Sequence, residues 1–254
     1  MNVTKFEFVL LSFAARLQPY RLAADEHHEH HEHPSPLIFI LVRRRTSTLS
    51  AMQNQAPKNI DPSRVLSFLH LATNLKKTPR TGWVKRNVQN PESIADHMYR
   101  MSLMALLMEG NTDGYDFNHC VKLAVVHDLA ECIAGDITPV CGVSNAEKHE
   151  MESRAMDEIA EMLGDCAASR SIRALWEEYE AGQTHEAKLV KDFDKIEMIV
   201  QAGEYERDQA DRGVELQEFF DSTAGKWRTE TGKAWAKQVT EERDAWRRDV
   251  RKDE

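Results

Sequence analysis

The stretch VVHDLAECIAGDITP, Val125 to Pro139, carries more charge than an apolar helix has reason to hold. An imidazole and a carboxylate stand side by side at His127 and Asp128. Glu131 follows on the same helical face, and Asp136 comes just past Gly135. Buried ionisable groups are costly unless they are paired or bind a cation. The stretch therefore reads either as a capped helix end with solvated acids or as part of a metal site. The second reading obliges other helices to converge on it with further ligands.

The bulk numbers narrow the field. The chain has 254 residues, with 33 basic against 42 acidic side chains and a formal net charge of −9. That balance disfavours a nucleic-acid polymer as partner, since a backbone binder needs a basic face. A small phosphorylated ligand needs only a few local arginines or a metal. Four cysteines, Cys120, Cys132, Cys141 and Cys166, show no CxxC spacing, so reduced thiols in a cytoplasmic setting are expected. No run reaches the roughly 18 apolar residues that span a bilayer, and no membrane association is expected.

Residues 1–51 differ from the rest. DEHHEHHEHPSP, Asp25 to Pro36, is low in complexity and carries five histidines within seven positions, with nothing to fix a coordination geometry. Residues 1–51 read as a disordered extension, 52–228 as the folded domain, and 229–254 as a charged C-terminal helix or tail. Met52 is a candidate natural start.

From Asp61 onward the pattern is helical, and the fold class is all-α. Asp61-Pro62 offers an N-cap with proline at the first helical position, followed by an apolar stripe through Val65, Phe68, Leu69 and Ala72. Lys76–Asn90 reads as a loop bearing Arg80, Trp83, Lys85 and Arg86, a basic-aromatic cluster suited to a phosphate and a flat base. Asn90-Pro91 is expected to cap the next helix, Glu92–Gly110, which carries His97 and is apolar nearly all round in its second half. Asp116 opens a helix expected to run through the His-Asp doublet to Gly135. Ser144 and Glu147 form a capping box, Ser171–Tyr179 is amphipathic, and Thr184 caps a long helix with Asp192 and Asp194 beside its apolar stripe. Val214–Phe220 and Lys233–Arg248 complete the helices, with Glu241–Glu254 expected as a solvated or frayed end. There is no alternating strand pattern, internal repeat or glycine-rich phosphate loop.

Three helices thus offer His97, then His127 with Asp128, then Asp192 or Asp194. Mixed imidazole and carboxylate donors suit Mn²⁺, Co²⁺, Fe²⁺, Zn²⁺ or Mg²⁺, and the lack of thiolate ligands argues against a structural zinc site. Two nitrogens and two carboxylates leave positions open for water and substrate.

An isolated histidine, a His-Asp doublet and a distal aspartate resemble the signature of the HD-domain metal-dependent phosphohydrolases. The strings PRTGWVKRNVQNPESIADHMYRM, LAVVHDLAECIAGDITP, EEYEAG, VKDFDKIEMIVQAGEYE and LQEFFDSTAGK extend the likeness over roughly Val65 to Lys226. Together they resemble the HD-domain 5′-deoxynucleotidases of eukaryotes. The resemblance implies a compact helical bundle that hydrolyses deoxynucleoside 5′-monophosphates with a divalent cation, Mn²⁺, Co²⁺ or Mg²⁺. It makes His97, His127, Asp128 and Asp194 the ligands of the main ion, with Asp194 chosen over Asp192 as the second aspartate of the D-x-D pair. Glu131 matches the catalytic glutamate, as proton carrier or, with Asp136 and Ile137, as ligand of a second ion. Asp136, Ile137, Thr138 and Pro139 match a segment lining sugar and phosphate. Arg80 matches a phosphate-orienting arginine, with Trp83 beside it. Exclusion of a 2′-oxygen is expected from Ile137 or Pro139.

Two rival readings remain at this point: an HD phosphohydrolase of another nucleotide, and a non-catalytic module in which metal staples helices together. A homodimer is expected, with Leu175, Trp176 and Tyr179 exposed at a helix-pair interface.

Overall fold

A computed structural model describes residues 59–111 and 113–250, so the readings made for 1–51 and for Met52 lie outside the described residues. Within them the chain is helical: α1 Pro62–Lys77, α2 Thr81–Val84, α3 Ile94–Leu106, α4 Phe117–Val126, α5 Glu131–Ala134, α6 Asn145–Leu163, α7 Ala167–Ala181, α8 His185–Asp208, α9 Gln217–Thr223 and α10 Glu230–Val250. The described residues contain no strand; the one isolated bridge joins Pro79 to Ser93. None of their helices is long and apolar enough to cross a membrane.

The expected caps at Asp61, Asp116, Ser144 and Thr184 form. Asp61 accepts from Ser63 N at 2.8 Å, and Ser144 and Glu147 bond reciprocally. The cap at Asn90-Pro91 does not form. Arg80 N donates to Glu92 O and Ile94 N to Thr78 O, which holds residues 90–93 extended. The helix therefore starts later, with Ser93 and Asp96 as its capping box. The same pairing pins the Lys76–Asn90 segment, which is not wholly loop but contains the short helix α2.

Helix α8 is the axis of the bundle. Ala187, Leu189, Val190, Phe193, Ile196, Ile199 and Ala202 are buried along it, against α3, α4, α7, α9 and α10. Burying one Leu, Ile or Phe side chain stabilises by about 1.5–3 kcal/mol. Truncating Phe193 to alanine would cost about 3–5 kcal/mol, because its neighbours are close-packed helices that relax only partly.

Two surface expectations are overturned. Leu175, Trp176 and Tyr179 are buried in the core, so they offer no face to a second copy. The apolar side chains left exposed include Tyr99, Leu103, Leu106 and Leu107, which fall on one stripe of α3 and the turn after it. The acidic and basic residues after Glu241 hide a second surprise. Arg243, 2 % exposed, reaches into the core and grips Glu206 through Nε and Nη2 at 2.6 and 2.7 Å. Glu206 also accepts from Leu216 N at 2.7 Å, so one carboxylate joins α8, α10 and the turn before α9. All four cysteines are free thiols.

Candidate metal centre and adjoining cavity

The His-Asp doublet sits at a break, not within a continuous helix. Helix α4 stops at Val126, and residues 127–130 turn through backbone bonds of the i to i+3 type, Leu129 N to Val126 O and Glu131 N to Asp128 O. In an unbroken helix consecutive side chains diverge by about 100°. The tightened turn instead brings His127 Nε2 within 3.1 Å of Asp128 Oδ2. Helix α5 then carries Glu131 and ends at Gly135, whose φ of 76° a side chain would resist.

Three elements deliver ligands to one point. Donor atoms of His97 from α3, His127 from the turn and Asp194 from α8 all lie within 4.8 Å of one another. Asp128 borders this trio, with Oδ2 3.8 Å from His97 Nε2. Its carboxylate is shared with Arg80, whose Nη1 donates to the same oxygen at 3.1 Å. Asp192, the alternative to Asp194, faces elsewhere. It accepts from Arg228 N, from Thr229 N at 2.8 Å and from Thr229 Oγ1 at 2.9 Å, and so ties α8 to the start of α10.

The donor set fits a divalent cation. His97 Nε2 and His127 Nε2 are buried with no hydrogen-bond partner, a costly state for two ring nitrogens unless something else uses their lone pairs. Asp194 Oδ1, 3.4 Å from His97 Nε2, and Asp128 Oδ2, 3.1 Å from His127 Nε2, are within ion-pair reach but not aligned as hydrogen bonds. Both far nitrogens are occupied: His127 Nδ1 donates to Ala124 O at 2.9 Å, and His97 Nδ1 lies 2.5 Å from Glu197 Oε2. That fixes each ring with Nε2 facing the trio, the usual arrangement behind a ligating histidine.

The field at this point favours positive charge. Burial and the Arg80 charge both oppose a protonated His97, yet Asp194 and Glu197 lift its pKa to about 9. Burial would raise the Asp128 carboxyl, but the neighbouring His127 and Arg80 hold it well below the usual carboxylate range. A metal dication answers the same field without a proton.

Glu131 is also buried, with Oε2 unpartnered and Oε1 3.8 Å from Lys148 Nζ. Burial, then the charges of Asp128 and Asp136, push its carboxyl well above the ordinary range. Asp136 Oδ2 accepts from Thr81 N at 2.5 Å and its backbone carbonyl from Thr81 Oγ1 at 2.8 Å, so it anchors the start of α2. Arg80 joins the trio to an open cavity of about 470 Å³, which Asp136, Trp83, Thr138 and Pro139 help to wall. Ile137 does not line that cavity. Trp83 is no exposed platform: it is 1 % exposed, donates from Nε1 to Glu92 Oε1 at 2.9 Å, and packs 4.4 Å from the Phe219 ring.

Sequence reasoning passed over several contributors. Glu197 lies three residues beyond Asp194 on α8, an acid on a buried face, and that anomaly was its signal. Tyr179 donates to Asp194 Oδ2 at 2.9 Å, though it reads as an ordinary amphipathic position. Lys148 reaches Glu131 from the first turn of α6, a relation between helices that no local pattern encodes.

The HD-domain family pattern matches residues 72–235. A zebrafish protein named 5′-deoxynucleotidase HDDC2 is 50% identical over 179 residues, covering 70% of this chain and 88% of the relative. The human protein of that name is 50% identical over 163 residues, covering 64% of this chain and 78% of its own. Among solved structures, a conserved hypothetical protein from Pyrococcus furiosus is 32% identical, with a TM-score of 0.58 over 71% of this chain and 99% of its own. Two imidazoles and a distal aspartate converging beside a His-Asp turn, together with these similarities, make the chain a member of the HD-domain family, grouped with relatives named 5′-deoxynucleotidases.

Proposed function

We propose that the protein is a metal-dependent phosphomonoesterase that hydrolyses deoxynucleoside 5′-monophosphates to deoxynucleoside and phosphate. The observation that carries this reading is the pair of buried, unpartnered Nε2 atoms of His97 and His127 beside Asp128 and Asp194, linked through Arg80 to a cavity that Arg80 helps to line. The substrate class follows from the relatives' printed name, and the cavity is of the size that takes a small organic ligand.

His97, His127, Asp128 and Asp194 would hold the ion, Mn²⁺, Co²⁺ or Mg²⁺, and Glu131 either moves a proton or, with Asp136 and Ile137, holds a second ion. Such an ion supplies Lewis acidity, lowering the pKa of water and drawing charge from phosphoryl oxygens. The protein's own groups do the rest. Arg80 keeps one Nη on Asp128 and has further donors for the phosphate, stabilising charge that grows on the equatorial oxygens. In the proton role Glu131 acts at Oε2, the oxygen that no protein group engages. Trp83, Thr138 and Pro139 form a wall close to the sugar, and Pro139 is the apolar candidate for refusing a 2′-oxygen. Tyr179 and Glu197 fix Asp194 and His97 in place.

In this reading residues 52–228 are the catalytic domain, 1–51 an extension, and 229–254 a charged C-terminal segment whose helix α10 braces α8 through Arg243. The substrate is a free nucleotide, with no nucleic-acid polymer and no membrane involved, in a reducing, cytoplasmic compartment. The α3 stripe of Tyr99, Leu103, Leu106 and Leu107 is the surface proposed for homodimer contact.

The test is phosphate release from a panel of deoxy- and ribonucleoside monophosphates with each of several divalent ions. Release from deoxynucleotides that depends on the ion supports the reading. Equal rates on ribonucleotides would overturn the sugar specificity, and an inert protein under saturating Mn²⁺ or Co²⁺ would overturn the enzyme.

A further inference from the structure

At about 470 Å³ the cavity has room for more than a sugar phosphate. Besides the Arg80 and Asp136 side, it has a wall made by Met198, Phe219 and Lys195. The Lys195 ammonium is turned off this wall, onto Lys191 O and to 3.3 Å from Asp192 Oδ1, so that its aliphatic stem faces the space. The surface is therefore apolar, one aromatic ring flanked by a thioether and a methylene chain.

Phe219 is held rigidly. Its ring packs 4.4 Å from Trp83 at 38°, and the Arg86 guanidinium lies 5.7 Å from its centroid. Arg86 is itself clamped by both Glu218 oxygens at 2.5 and 2.6 Å. Gly82 makes the close approach feasible: a Cβ there would stand 3.3 Å from Phe219 Cε1. An aromatic ring fixed by three neighbours presents a preorganised face that loses little entropy on binding.

Most polar groups of this wall are already committed. Arg86 is committed to Glu218 and Lys195 to Asp192, which leaves Lys226 as the cation of this wall without a partner among the described residues. Ser222 and Lys226, three and seven residues after Phe219, sit on the same lining; the Ser222 hydroxyl donates to Phe219 O at 2.8 Å and so offers the cavity an acceptor. An aromatic ring lining the cavity, with an ammonium donor and a hydroxyl acceptor beside it, matches a flat heteroaromatic ring with polar groups on its edge.

We propose that Phe219 and Met198 form the nucleobase subsite, the base stacking on Phe219 with its edge toward Ser222 and Lys226. The inference rests on the phosphomonoesterase reading above and adds where the base lies and what holds it. Stacking on one aromatic side chain contributes about 1–3 kcal/mol per base.

The experiment compares kcat/KM for thymidine and 2′-deoxyadenosine monophosphates with that for 2-deoxyribose 5-phosphate, which has the same phosphate and sugar but no base. The wild type is expected to prefer the nucleotides, Phe219→Ala to lose about tenfold of that preference, chiefly in KM, and Phe219→Tyr to keep it. Thermal melting of each variant separates lost stacking from lost folding. Equal wild-type kcat/KM on the two substrate classes would overturn the subsite, as would a Phe219→Ala loss equal on both or a Tyr variant that behaves like Ala. A wild type that hydrolyses neither class sinks the phosphomonoesterase reading, and the subsite with it.

Discussion

Glu197 Oε2 lies 2.5 Å from His97 Nδ1, with both side chains wholly out of solvent. The carboxylate fixes the ring so that Nε2 faces His127 and Asp194, and it raises the basicity of that nitrogen toward a cation. Glu197→Gln keeps an acceptor for Nδ1 but removes the charge. It is expected to weaken Co²⁺ binding about tenfold, and Glu197→Ala nearer a hundredfold. Titration of the apoprotein followed by the visible Co²⁺ spectrum measures this without any turnover. Unchanged affinity in both variants would remove Glu197 from the centre.

The two aspartates of the D-x-D pair divide into separate jobs. Asp194 faces the imidazoles, while Asp192 binds the backbone that starts α10. Asp194→Asn is expected to lose metal and phosphate release while melting near the wild-type temperature. Asp192→Ala strands the N–H groups of Arg228 and Thr229 and the Thr229 hydroxyl, at a cost of roughly 2–3 kcal/mol by urea denaturation, with metal retained in the folded fraction. The opposite assignment would show the reverse pattern.

Stability should fall in acid partly through Glu206. Burial raises its carboxyl, but the Arg243 guanidinium and the Leu216 N–H outweigh that and hold it below its ordinary 4.5. A carboxyl depressed in the folded state contributes stability above its unfolded pKa, and that contribution is lost as pH falls through the folded value. The window therefore lies below about pH 4.5. Between about pH 5 and pH 3 the wild type should lose more stability than Glu206→Gln, which has no proton to take up there. At neutral pH the Gln variant starts about 3 kcal/mol lower, because Arg243 is left buried without its counter-charge. Parallel melting curves across that range would show the pair to be silent.

The helical class, four of the caps and the doublet were legible because each depends on residues close in sequence. His97, His127 and Asp128 were recognisable as polar groups placed where an apolar helix should continue. The break after Val126 was not legible, since nothing in VVHDLAE interrupts helical propensity; the turn is selected by what His127 and Asp128 must face together. The Ser93 cap was hidden by the more conspicuous Asn90-Pro91, whose cap is overridden by pairing with residues 78–80. Arg243 and Leu175 were misplaced for one reason: local polarity and amphipathicity do not reveal which distant face covers a helix. Arg80 against Asp128, and Tyr179 against Asp194, are likewise relations between elements.

Arg80 separates phosphate handling from metal holding. Its guanidinium donates to Asp128 Oδ2 at 3.1 Å and opens onto the cavity, yet it has no lone pair to ligate an ion. As a fixed positive charge beside a cation site, it weakens cation binding by Coulomb repulsion. Arg80→Met should therefore keep the metal, bound as tightly as in the wild type or more so. Phosphate release should still fall about 10²–10³-fold, through lost stabilisation of the charge developing on the phosphoryl oxygens. Arg80→Lys, which keeps the charge but not the planar fork, should fall between the two. Metal-to-protein ratios beside single-turnover phosphate release check both halves. A Met variant stripped of metal would show that Arg80 acts chiefly by holding Asp128 in place.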